Sequence, residues 1–153
     1  FRDGLASGAV RLAFTPEGAL LVGETDRGWG SKGPITEGIQ RIDFSGTVPF
    51  EAATVRLLDD GTGFRVRFTT KADAASCSSV ESFTMSSSDE LDTQKLKVST
   101  ATPHEDGLGV DLVVRGLREG YVHELGMEGV TSVNEGFKLL HPVAYYTLIK
   151  AAQ

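Results

Sequence analysis

The stretch Phe64-Arg65-Val66-Arg67-Phe68-Thr69 decides the fold, because its apolar and polar residues alternate with a period of two. Such a segment sets one side on a core and the other in water, which is the pattern of a β-strand. Asp59-Asp60-Gly61-Thr62-Gly63, just before it, carries the turn chemistry that joins it to residues 53–58 as a hairpin. Further along, Leu96 and Val98 alternate with lysines. Val110, Leu112 and Val114 alternate with Asp111, Val113 and Arg115 after a turn at 105–107, which predicts a second hairpin. Residues 121–127 and 144–149, each bounded by Gly or Pro, complete about seven strands after residue 50, with the short turn spacing of a sandwich.

No segment holds apolar residues at helical spacing over three turns with a cap, so helix is confined to a short turn at 71–76 or at 78–82, before a strand at 83–86. Ser86-Ser87-Ser88, followed by Asp89-Glu90-Leu91-Asp92, reads as a mobile polar loop. The first 48 residues differ in texture. Val10, Leu12 and Phe14 run into the turn Thr15-Pro16-Glu17-Gly18, then come residues 19–23, a glycine-rich stretch at 28–38, and a strand at 39–44. Three strands without a second layer cannot bury both faces, so this meander needs a neighbour.

Composition bounds the function. Over 153 residues the chain is 40% hydrophobic and 24% charged, the balance of a folded protein, and its net charge of -6 is spread without a basic stripe, so nucleic acid is not an expected partner. The longest apolar runs are a few residues, far short of the roughly 20 a bilayer-spanning helix needs. The chain opens at Phe1 without an initiator Met or a signal segment, which suggests a processed chain or, as the favoured reading, an excised piece of a larger protein. Cys77 stands alone, so it reads as inert, with neither an internal disulfide nor a thiol zinc site.

The chemistry-bearing residues give no complete site. His123 and His141 fall on the last two strands or their edges, with Glu124 and Glu128 as the nearest carboxylates; the spacing matches no metal signature, and both read as hydrogen-bonded beside Tyr145 or Tyr146. His104 reads as solvated in its turn. The serines at 76–88 lack a nucleophile elbow and lie far in sequence from His123. Asp59 with Asp60, and Asp89 with Glu90, lack calcium-loop spacing, and the glycine-rich run lacks the Gly-Lys-Ser/Thr ending of a phosphate cradle.

The run Gly8-Ala9-Val10-Arg11-Leu12-Ala13-Phe14, then Pro16-Glu17-Gly18-Ala19-Leu20-Leu21-Val22-Gly23 and Thr25-Asp26-Arg27-Gly28-Trp29-Gly30, resembles the last propeller blade of quinoprotein sugar dehydrogenase-like proteins. The match is to large secreted bacterial proteins described as membrane-bound dehydrogenases or haem-binding proteins. In that group the blade is followed by a C-terminal sandwich that ends much like Leu139-Leu140-His141-Pro142-Val143-Ala144-Tyr145-Tyr146-Thr147-Leu148, and Tyr121-Val122-His123-Glu124-Leu125 also fits. The resemblance implies an all-β chain: a blade-like three-strand meander over 1–48 and an Ig-like or fibronectin-like β-sandwich over 49–153.

It also implies that Arg11, Asp26, Arg27 and Trp29, with Lys32 nearby, belong to a cofactor site, because blade loops face a central ligand and arginines suit anionic oxygens. The alternative is that Asp26 and Arg27 pair locally while Trp29 packs under the glycine-rich loop. One blade cannot enclose a quinone, and there is no Cys-x-x-Cys-His run for haem, so no cofactor is expected in this fragment; pyrroloquinoline quinone with calcium, or haem, would belong to the parent.

The expected function is a non-catalytic C-terminal interaction or structural module of a larger periplasmic or secreted propeller protein, its partner the preceding propeller domain or a second copy. The alternative is a fragment contributing to the cofactor or substrate site of a quinone-dependent sugar dehydrogenase. A carbohydrate-binding sandwich presenting Tyr121, Tyr145 and Tyr146 would rest on fold analogy alone.

Overall fold

The computed structural model describes residues 4–27, 33–134 and 136–150. The chain is all-β and divides into two units, Phe1–Thr47 and Val48–Gln153.

In the first unit, β1 (Gly8–Phe14), β2 (Leu20–Thr25) and β3 (Glu37–Ile42) form an antiparallel sheet in the order β1-β2-β3. The β1–β2 turn is closed by Thr15, whose carbonyl accepts from Gly18 N at 2.9 Å and whose hydroxyl accepts from Ala19 N at 3.2 Å. Gly18 sits there at φ +88°, a conformation that side chains with a Cβ disfavour. Along β2 the period-two pattern resolves into burial of Leu20, Val22 and Glu24. The first strand does the reverse, since Val10, Leu12 and Phe14 are all exposed.

The second unit holds β4 (Ala52–Leu57), β5 (Gly63–Phe68), α1 (Ala74–Ser78), a 3-10 turn (Val80–Ser82), β6 (Thr84–Ser88), β7 (Thr93–Pro103), β8 (Gly109–Arg115), β9 (Val122–Gly126) and β10 (Val143–Thr147). Its sheet order is β10-β9-β6-β7-β8-β5-β4, every neighbouring pair antiparallel. The long strand β7 explains how one ladder makes two layers. Its start pairs with β6 through Thr93 to Leu96, and its remainder pairs with β8 from Lys97 onward, so the strand passes from one sheet to the other. Strands β4, β5, β8 and the end of β7 then make one layer, and the start of β7 with β6, β9 and β10 makes the other. This is the strand arrangement of an immunoglobulin-like sandwich.

The two inner faces bury Phe64, Val66, Val110 and Leu112 from one layer and Met85 and Leu125 from the other, joined by Phe83, Met127 and Val130 from the connections. Phe64 packs edge-on to Tyr146 of the other layer, with ring centroids 5.1 Å apart. Backbones approach closely at Gly63, where a Cβ would lie 1.8 Å from the Leu112 carbonyl oxygen, so only glycine fits the β5–β8 pairing there. The short helix α1 is started by Asp73, whose carboxylate accepts from Ser76 N at 2.7 Å.

Ser86-Ser87-Ser88, expected above as a mobile loop, instead form the second half of β6. The physical reason is pairing on both sides: these serines lie between β7 and β9, and Ser87 is completely buried opposite His123. Three serines give no apolar alternation, so the strand was invisible to a periodicity reading.

Candidate functional site

Of the residues implied as a cofactor site, Arg11 lies on the three-strand sheet, Asp26 and Arg27 follow its second strand, and Trp29, with Lys32, lies outside the described residues. Arg11 is exposed on β1 opposite Gly23, and among the described residues its guanidinium donates only to the neighbouring Val10 carbonyl, at 3.4 Å. Asp26 follows β2 and donates its backbone N–H to Thr36 O at 2.8 Å, while Arg27 N donates to Thr25 Oγ1 at 3.2 Å. Arg27 stands four positions beyond Gly23 along the chain, past the end of β2 at Thr25. Among the described residues no ion pair joins Asp26 to Arg27. The same sheet buries a carboxylate that the sequence reading did not single out. Glu24 accepts from Ser7 N at 3.0 Å, and its signal was its place after Leu20 and Val22 on the inward positions of β2.

The sandwich places its three histidines in three settings. His104, expected to be solvated, is tied on both ring nitrogens: Nδ1 lies 2.9 Å from Arg67 Nη1 and Nε2 lies 2.8 Å from Asp111 Oδ1. An arginine only donates, so Nδ1 is the acceptor and Nε2 carries the proton that goes to Asp111. Arg65 grips the same carboxylate with two bonds of 2.9 and 2.8 Å, and this clamp, aided by the bond from His104 and opposed by partial burial, holds the Asp111 carboxyl down to about 2. The sequence reading missed the network because its members come from β5, β8 and the turn between β7 and β8.

His123 is buried in β9, against Phe64, and its Nε2 accepts from Arg118 N at 3.2 Å. Burial pushes its pKa below the ordinary histidine value. Although the fold sets it directly across from Ser87, the pair is no nucleophile and base. The Ser87 hydroxyl accepts from Arg118 Nη1 at 3.3 Å, and the gap beside His123, bordered by Phe64, Met85 and Tyr146, is too small for a water molecule. Arg118 closes this corner, with its guanidinium 3.5 Å over the Tyr121 ring and an ion pair of 2.9 Å to Asp92. No group of three or more potential metal ligands occurs among the described residues.

His141 occupies the third setting, at the mouth of the sandwich's open side. Strands β4 and β10 end the seven-strand ladder and approach one another without pairing, leaving a groove of about 470 Å³. At this end β4 and β10 are tied by Leu140 N donating to Phe50 O at 3.2 Å, and by Glu51, which accepts from His141 N at 3.0 Å and also bonds the His141 ring. Ala52, Ala53 and Thr54 form one wall, and Val143, Ala144 and Tyr145 the other. As the two ends of the ladder, β4 and β10 each have one edge without a partner strand among the described residues.

No family model matches the chain, and no curated protein matches it. Solved structures do. The N-terminal part of the bacterial S-layer protein SbsC is similar over 65% of this chain, with a TM-score of 0.55 and 20% identity, and the match spans 23% of that structure. A structure of surface layer protein SbsC covering domains 1–6 gives a TM-score of 0.53 at 19% identity, again over 65% of this chain and over 14% of its own length. The chain therefore spans less than a quarter of the structures it matches, and at this identity the likeness is one of fold.

Proposed function

We propose that this chain is a non-catalytic interaction module of a larger secreted or cell-surface protein, and that the three-strand meander is its docking element, set as the terminal blade of a propeller whose sandwich follows. The observation that carries the reading is the bare apolar row Val10, Leu12 and Phe14, which are 53, 66 and 77% exposed on an edge strand. Such a strand offers both unpaired backbone groups and apolar surface to a neighbour. Similarity of fold to a surface-layer protein with several domains supports a secreted, multidomain setting. Titrating the chain with the propeller portion of its parent in a calorimeter should give saturable binding that is lost when Leu12 and Phe14 are both replaced by Glu. Absence of any heat of binding to that portion would remove the propeller reading.

A second reading, a share in the cofactor site of a quinone-dependent sugar dehydrogenase, is favoured by Arg11 and Arg27, both exposed and neither held by a carboxylate among the described residues. Trp29 is the only tryptophan, so its emission reports on ligand at this loop. A saturable change on adding pyrroloquinoline quinone with calcium, abolished by Arg27→Ala, would support it; a flat response would count against it.

A further inference from the structure

We propose that the groove between β4 and β10 is an acceptor site for one extended strand of a second polypeptide. This deepens the reading of the chain as an interaction module, but it rests on the sandwich and not on the meander. The argument begins with strand direction. Seven strands in which every neighbour is antiparallel leave the first and last, β10 and β4, pointing the same way. Two parallel edges cannot complete an antiparallel closure by pairing with each other. A single strand inserted antiparallel to both does complete it, turning an open ladder of odd number into a closed one of even number. Strands pair at about 4.8 Å, so the insertion asks for roughly 9–10 Å between β4 and β10 and widens the seam where they now approach.

The walls suit that occupant. Protected edges carry lysine, proline or bulges. Strand β10, Val143–Thr147, carries none of these, and β4 carries one bulge, at Ala53, with small residues over its first half, Ala52 to Thr54, and Arg56 beyond them. The groove floor is apolar at Ala52 and Ala144, which asks for small apolar residues at alternate positions of the incoming strand. Polarity sets its ends. A strand antiparallel to β4 and β10 places its C-terminal end at the start of both, where Glu51 lies, its side chain 18% exposed. The matching residue there is a lysine or arginine. The occupant is thus a segment of about five residues with period-two small apolar residues, no proline, and a basic residue at the C-terminal end.

The test is selection of a random ten-residue peptide library on the full chain, followed by hydrogen exchange of the chain with the best peptide bound. Enriched peptides should share that pattern, and amides of β4 and β10 should gain at least tenfold protection. Ala53→Lys and Tyr145→Lys, both exposed substitutions, should weaken binding at least tenfold while the melting temperature stays within a few degrees. Peptides without the pattern, protection elsewhere, or binding untouched by both substitutions would overturn the proposal. If no peptide is enriched while the chain still binds its parent through Leu12 and Phe14, the groove falls and the docking reading stands.

Discussion

Leu12 and Val22 are direct cross-strand partners on one face of the three-strand sheet, yet Val22 is 1% exposed and Leu12 66%. Phe14 and Leu20 repeat the contrast one pair along, at 77 and 7%. The apolar face is therefore covered over β2 and bare over β1. Nothing about local periodicity separates the two strands; what differs is whether anything lies above them.

This contrast predicts opposite responses to the same change. Val22→Ala should destabilise the chain by about 1–3 kcal/mol through lost burial and the space left behind. Leu12→Ala should stay within about 0.5 kcal/mol. Denaturant midpoints of the two variants would check this, and equal losses would mean that β1 is packed.

The buried His123 predicts a pH dependence. Its folded pKa is lowered by burial, so the unfolded chain binds a proton that the folded chain refuses. The stabilisation is complete above the unfolded value, near 6.5, and is lost progressively as pH falls below it toward the folded pKa. Melting temperature should fall between pH 7 and 5, and the fall should be shallower in His123→Phe, even though that variant loses the bond to Arg118 N.

Asp111 predicts a second, separate acid response. Its carboxyl is held at about 2 by Arg65 and His104, so its contribution is complete above the unfolded value and is lost progressively as pH falls below that value through about 2. Asp111→Asn should flatten the stability profile in the most acid range while leaving the loss between pH 7 and 5 in place. Circular dichroism at graded pH distinguishes the two.

Close packing of β5 against β8 predicts that Gly63→Ala is costly despite its small size. The added methyl meets the Leu112 carbonyl oxygen, and relieving that contact should cost about 1–3 kcal/mol. Phe64→Ala next to it should cost about 3–5 kcal/mol. Thermal melts of both, compared with the unaltered chain, are sufficient.

Much of the fold was legible where period two was written in apolar residues. Phe64, Val66 and Phe68 stood out because burial and alternation coincide there, and the same holds for Val110, Leu112 and Val114. Strand β6 was half missed because Ser86-Ser87-Ser88 are placed by neighbours on both sides and not by their own hydrophobicity. The sites were harder to read. His104 meets Arg67 and Asp111 only after distant strands pair, and Glu51 reaches His141 across 90 residues of chain. Such contacts leave no local spacing to find.

The most direct test of the docking role is sedimentation velocity of the chain, alone and mixed with its parent's propeller portion, beside a variant carrying Leu12→Glu and Phe14→Glu. Association by the unaltered chain, lost in the variant with an unchanged melting temperature, is the predicted result. A strict monomer that ignores the propeller portion at every concentration would contradict it.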